Sequence, residues 1–140
     1  MKIVVASDEK TPLTDFVVDY LKAKGHELFL YGDLLNKNGR WADIGKEAAQ
    51  KVAGGEADQG LLFCWSGTGI TMAANRIKGA RAALCWSPEI AKLARKWDDA
   101  NILVMALVDT SNETAEKILD TWFTTEFDEE GLNEAYKLDE

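Results

Sequence analysis

The stretch Gly60-Leu61-Leu62-Phe63-Cys64-Trp65-Ser66-Gly67-Thr68-Gly69-Ile70-Thr71-Met72-Ala73-Ala74-Asn75-Arg76 decides the fold. It begins with an apolar run that shows no alternation, the pattern of a strand covered on both faces. Glycines and small polar residues follow, and from Ile70 to Arg76 the spacing is helical. A buried strand passing through a glycine-rich turn into a helix is the start of a βαβ unit, from which parallel sheets are built.

The same alternation repeats outward from this stretch. Upstream, Ile3 to Ala6 reads as a buried strand and Leu28 to Tyr31 as a second. Between them Pro12 suits a first helical turn, Leu13, Phe16, Val17, Tyr20 and Leu21 recur at helical spacing, and Lys24-Gly25 ends the helix. Gly32 to Arg40 is a polar loop, and Trp41 to Val52 is a helix closed by Gly54-Gly55. Downstream, Ala80 to Cys85 and Ile102 to Ala106 are strands, with helices over Pro88 to Lys96 and Ser111 to Phe123. A last short helix is expected from Asp128 onward. Five such alternations predict an α/β sandwich around a parallel sheet, as one domain over residues 1–140.

Composition narrows the function. The chain has 140 residues, 46% hydrophobic and 29% charged, which is globular and excludes disorder or a coiled coil. With 16 Lys and Arg against 24 Asp and Glu, the net charge is −8. Such a surface repels phosphate backbones and anionic membranes, so neither nucleic acid nor membrane is expected as a partner. The two cysteines, Cys64 and Cys85, are too few for a disulfide framework and suit a reducing compartment. Residues 1–8 turn polar too soon for a signal peptide or a membrane span, so a cytoplasmic location is expected.

In doubly wound folds ligands bind at the carboxyl ends of the strands. That rule singles out the loops at residues 7–10, 31–40, 64–69, 85–88 and 107–110. Among them Cys64-Trp65-Ser66-Gly67-Thr68-Gly69 carries the strongest signal. Its glycines let backbone N–H groups face a ligand, and the helix that follows presents the positive end of its dipole. A thiol at the strand end lies in that field, which favours the reactive thiolate. The run is neither a Walker loop nor a dinucleotide GxGxxG pattern. Read alone, it fits a tight strand-to-helix turn with an inert buried Cys equally well.

From Cys64 to Arg76 the sequence resembles the signature of the ribose-5-phosphate isomerase B family, which includes the galactose-6-phosphate isomerase subunits and typically reads CGTGIG followed by SIAANK. The likeness continues through Gly79-Ala80-Arg81-Ala82-Ala83-Leu84-Cys85 and Asp99-Ala100-Asn101-Ile102-Leu103, and reaches Gly55-Glu56-Ala57-Asp58 and Asp120-Thr121-Trp122. This resemblance implies a three-layer, Rossmann-like fold with a five-stranded parallel sheet. It also implies a homodimer, in some members a tetramer, with active sites between subunits. Members interconvert aldose and ketose phosphates through a cis-enediol, without a cofactor or metal. By resemblance Cys64 is the base that moves a proton between adjacent carbons. Ser66, Gly67 and Gly69 hold the enediolate oxygen, and Asp8 meets the sugar hydroxyls, with Glu9 and Lys10 beside it. Preorganised N–H donors and a positioned proton carrier are what this chemistry requires.

Departures from the family pattern point to an altered substrate. Asp8-Glu9 stands where the family has Asp-His, and Trp97-Asp98-Asp99 where it has His-Asn-Asp. The ring-opening histidines are thus replaced, leaving Trp97 and Asp98 as candidate substrate contacts. The single His26 lies at the start of the second strand, away from the carboxyl ends. Where the family carries Gly-Gly-Arg-His-x-x-Arg for the phosphate, residues 129–136 hold no Arg and are acidic. Trp41 replaces the usual Tyr, and with Trp65, Trp86 and Trp97 it suits an apolar, sugar-stacking wall. The resulting expectation is an aldose–ketose isomerase acting on a sugar or sugar phosphate other than ribose 5-phosphate. A non-catalytic sugar-binding descendant, one subunit of a heteromeric isomerase and a redox-sensing thiol stand as alternatives.

Overall fold

The computed structural model describes residues 1–140, with the side chains of residues 131–133 outside the description. Five strands form one sheet: β1 (Lys2–Ser7), β2 (Glu27–Gly32), β3 (Gln59–Cys64), β4 (Ala82–Leu84) and β5 (Ile102–Ala106). All neighbours run parallel, in the order β2-β1-β3-β5-β4. Six α-helices complete the chain: α1 (Pro12–Ala23), α2 (Trp41–Ala53), α3 (Thr68–Ala74), α4 (Pro88–Asp98), α5 (Asn112–Thr124) and α6 (Leu132–Lys137). The expected α/β sandwich is therefore the observed one.

Alternate strand residues feed two cores, as the two-residue period demands. Ile3, Val5, Leu61, Phe63, Leu103 and Met105 pack against α1, α4 and α5. Val4, Ala6, Leu62, Cys64, Ile102 and Val104 face α2 and α3. The second layer is built close. A Cβ added at Gly45 of α2 would meet the Ala73 Cβ of α3 at 2.9 Å, so only glycine lets these helices approach. Indole and amide settle one part-buried polar pair, with Trp122 Nε1 donating to Gln59 Oε1 at 2.9 Å.

Local chemistry fixes the helix starts. Thr11 caps α1 in a reciprocal box with Thr14, ahead of Pro12. Ser87 caps α4 ahead of Pro88, and Ser111 caps α5. Most boundaries shift by one or two residues from the sequence reading, and two elements, α3 and β4, are displaced at both ends. Helix α3 covers Thr68–Ala74 because the turn at Gly67 starts it early and Asn75 leaves it to pair with Ala82. Strand β4 is only three residues long, since Ala80 closes a turn onto Ile77. A 3-10 turn over Asp33–Leu35 inside the polar loop was not foreseen. The tail does form its short helix, which returns beside α4 as Asp128 donates to the Lys96 carbonyl at 2.8 Å. Among the described residues no helix is long and apolar enough to cross a membrane.

Candidate active site

The topological switch lies between β1 and β3. After β1 the chain turns to α1 on one face of the sheet, and after β3 it turns to α3 on the other. The two connections diverge and leave a crevice at the carboxyl edge, where ligands bind in such sheets. Register places Ser7 opposite Phe63, and the next residues, Asp8 just past the end of β1 and Cys64 as the last residue of β3, both face the crevice. Around them Trp41, Trp65, Ser66, Thr68, Gly69 and Met72 close a cavity of about 300 Å³. That volume suits a small molecule.

Each wall has a local cause. Ser7 is fully buried, and its Oγ donates to the Glu9 carbonyl at 2.5 Å while accepting from Glu9 N–H at 3.2 Å, which pins the loop carrying Asp8. Gly67 turns the chain into α3 with φ of +76°, and a Cβ there would meet Leu84 Cδ1 at 2.6 Å. Gly69 lies under the Trp41 ring, where a Cβ would meet ring carbons at 3.0 Å. The Ser66 and Thr68 hydroxyls share a hydrogen bond at 2.8 Å. Cys64 is free and 4% exposed. Burial raises the Asp8 pKa; its own backbone N–H opposes this, and the charges of Glu9 and Asp33 reinforce it. The cavity lining contains no cation.

Of the residues expected at the site, Cys64, Ser66, Gly69, Asp8 and Trp41 come together, and Gly67 forms the turn beneath them. Glu9 and Lys10 do not line the cavity, because the Lys10 ammonium is drawn to Asp15 of α1 at 2.6 Å. Trp97 and Asp98 do not reach it within one chain either. Helix α4 starts near the carboxyl end of β4 and runs back toward the start of β5, so its last turn lies roughly 15 Å along the sheet from that edge. Asp98 lines a different cavity, with Arg81, Asn75 and Leu138. Only Trp41 and Trp65 of the four candidate tryptophans form a wall here. Thr68 and Met72 are additions to the expected set; their four-residue spacing puts them on one face of α3, a signal already in the sequence.

Cys85 is buried outside this cavity, and desolvation, helped by Asp98, pushes its thiol up to about 12. His26 lies at the amino end of the sheet, stacked on Phe123 with 5.0 Å between ring centroids. Among the described residues no three His, Cys, Asp or Glu side chains converge to hold a metal.

A thiol, a carboxyl and a glycine-rich helix start, set at the switch point of a parallel sheet, define a small-molecule site of the doubly wound α/β class. The sequence profile of the Ribose/Galactose Isomerase family matches residues 3–140, and the chain belongs to that family. It is 35% identical over 111 residues to the galactose-6-phosphate isomerase subunit LacB of Clostridium acetobutylicum, covering 79% of this chain and 64% of that protein. With the 4-deoxy-4-sulfo-D-erythrose isomerase of a Clostridium species it shares 34% identity over 135 residues, covering 92% and 85% of the two chains. The crystal structure of a ribose 5-phosphate isomerase from Thermotoga maritima superposes with a TM-score of 0.91 at 38% identity, covering 99% of this chain and 97% of the other.

Proposed function

We propose that the chain is an aldose–ketose isomerase that works through a cis-enediol on a short, open-chain sugar rather than on ribose 5-phosphate. The observation that carries this reading is the cavity itself, which a thiol and a carboxyl line together next to a glycine-rich turn, with neither imidazole nor cation in the lining. Cys64 takes the proton from the carbon next to the carbonyl. Ser66 and the N–H groups of the turn at Gly67 and Gly69 stabilise the enediolate oxygen. Asp8 orients the hydroxyls, and Trp41 and Trp65 hold the carbon chain.

The absence of imidazole from the lining fits a substrate that needs no ring opening. A tetrose whose fourth carbon carries no free hydroxyl cannot close a furanose ring, and one relative is named for a sugar of that kind. Proton exchange tests the reading. Wild-type protein in deuterium oxide is expected to place deuterium on the carbon next to the carbonyl of a tetrose and to form the isomer, and Cys64→Ala to do neither. Intact activity in Cys64→Ala would overturn it.

The assembly belongs to the same proposal. Trp65, Met72 and Trp86 are 60–65% exposed, an apolar surface that a second copy would cover. In a homodimer, or a tetramer of paired dimers, the Trp97–Asp98 turn of one subunit is free to complete the site of the other. A second reading, in which a different chain completes the site, draws on the relative named as a subunit. Full activity of the purified chain alone would exclude it. The two free thiols suit a reducing cytoplasm.

A further inference from the structure

Isomerisation through an enediol moves two protons, one between neighbouring carbons and one between their oxygens. Cys64 accounts for the first, and no imidazole lines the cavity to carry the second. His26 sits at the far end of the sheet, with its Nδ1 3.1 Å from the amino group of Met1. The Ser66 and Thr68 hydroxyls are engaged with one another at 2.8 Å. The indoles of Trp41 and Trp65 and the thioether of Met72 carry no transferable proton of suitable acidity. Within one chain the cavity holds a single oxygen acid, Asp8. The register of β1 against β3 ends with Ser7 opposite Phe63, and the residues that follow, Asp8 and Cys64, line the same cavity.

We propose that Asp8 is a second catalytic residue, which carries the hydroxyl proton from one substrate oxygen to the other while Cys64 carries the carbon-bound proton. The inference rests on the isomerase reading and adds a chemical role to a residue that otherwise only orients substrate. Its surroundings suit the task. Among the described ion pairs none involves Asp8, and the nearby Lys10 ammonium is held by Asp15. Burial, with Glu9 and Asp33 nearby, makes the carboxyl easier to protonate than an exposed one, which moves a proton carrier toward working pH.

The step balances. Cys64 thiolate removes the C2 proton, the C2 electron pair forms the C1=C2 bond, and the carbonyl pair moves onto O1. The Asp8 carboxylic acid donates its proton to O1, giving the cis-enediol. The resulting carboxylate then takes the proton from the O2 hydroxyl. As O2 becomes the carbonyl, C1 recovers the proton from the Cys64 thiol. Both side chains end as they began, and no oxidant or reductant takes part.

Separating the two transfers tests the assignment. Without an oxygen carrier, the enediolate formed by Cys64 is reprotonated at C2 and returns as aldose. D-Erythrose, D-erythrose 4-phosphate and ribose 5-phosphate are therefore incubated in deuterium oxide with wild-type protein, Asp8→Asn and Asp8→Glu. In Asp8→Asn, ketose formation is expected to fall at least ~100-fold, while deuterium entry at C2 of recovered aldose stays within about tenfold of wild type. Asp8→Glu keeps a carboxyl and is expected to recover ketose formation at least about tenfold over Asp8→Asn. A thermal midpoint for Asp8→Asn no lower than wild type shows that the variant is folded. Exchange and ketose formation falling together in the folded Asp8→Asn variant, or ketose formation persisting near the wild-type rate, would overturn the assignment. Absence of exchange by wild-type protein on all three sugars instead overturns the isomerase reading, and this inference with it.

Discussion

The two cysteines lie on strands of the same sheet but meet different surroundings. Cys64 ends β3 at the wall of the cavity, whereas Cys85 follows β4 with no exposure. The Cys85 thiol, pushed up to about 12 chiefly by burial, stays protonated and acts as packing. Cys85→Ala is expected to lower stability by roughly 1 kcal/mol in denaturant titration with little change in turnover. Cys64→Ala is expected to lower turnover at least ~100-fold with the fold intact, so the opposite ordering would reverse the roles. Asp8 shows the reverse relation between stability and function. Its raised pKa means that the folded protein binds this proton more readily than the unfolded chain. Ionised Asp8 therefore costs stability above its folded pKa, and the cost disappears as pH falls below the ordinary value of 3.8, where both states are protonated. Asp8→Asn is expected to raise the thermal midpoint near neutral pH, and the gain should vanish in acid; a lower midpoint at neutral pH would contradict the sign. A residue kept at a cost to stability is what a working site produces.

Elements were legible in the sequence where their signals were local. The apolar runs, Pro12 and Pro88, and the glycines after the helices gave each strand and helix to within a few residues, because periodicity and caps act over one or two turns. Cys64, Ser66, Gly69 and Asp8 were legible as a group because the carboxyl-end rule needs only the element order, whereas Trp41, just past the 31–40 loop, was legible only through the family pattern. Tertiary direction was not legible. Trp97 and Asp98 align with substrate-facing family positions, yet the return run of α4 carries them away from the cavity of their own chain. Lys10 pairs with Asp15 outside the cavity lining, a contact that spacing alone does not reveal. The short β4 has a similar origin, since its outer edge is finished by a side chain rather than by another strand. Asn75 Nδ2 donates to the Ala82 carbonyl at 2.9 Å, and its Oδ1 accepts from Ala82 N–H at 2.8 Å. The amide thus imitates a neighbouring strand and blocks edge-to-edge pairing at that residue. Asn75→Ala is expected to cost about 1–2 kcal/mol in denaturant titration, with a greater tendency to aggregate. An unchanged midpoint would show that water replaces the amide without loss.

Charge is a property of the whole molecule, and it bears on the substrate. The chain carries a net charge of −8, its cavity has no cation in the lining, and residues 129–136 are acidic where the family places arginines. Arginine forks on a phosphate contribute about 1.5–3 kcal/mol for each charge-assisted contact. Replacing two of them removes about 3–6 kcal/mol, roughly two to four decades of affinity. A second copy of the chain brings the same acidic tail, so a homodimer does not restore the forks from that segment. Ribose 5-phosphate also needs its ring opened, and the cavity lining offers no imidazole for the purpose. Both deficits act against the same substrate, and a short open-chain sugar escapes the second entirely. Ribose 5-phosphate is therefore expected to be a poor substrate beside D-erythrose 4-phosphate, whose phosphorylated C4 oxygen cannot close a furanose ring, when kcat/KM is measured for both. An efficiency above ~10⁴ M⁻¹s⁻¹ on ribose 5-phosphate, ordinary for an enzyme on its own substrate, would overturn the expectation. Arg40 would then be the first residue to test as the phosphate clamp, since it is exposed at the start of α2 beside Trp41, whereas Lys10 is held by Asp15.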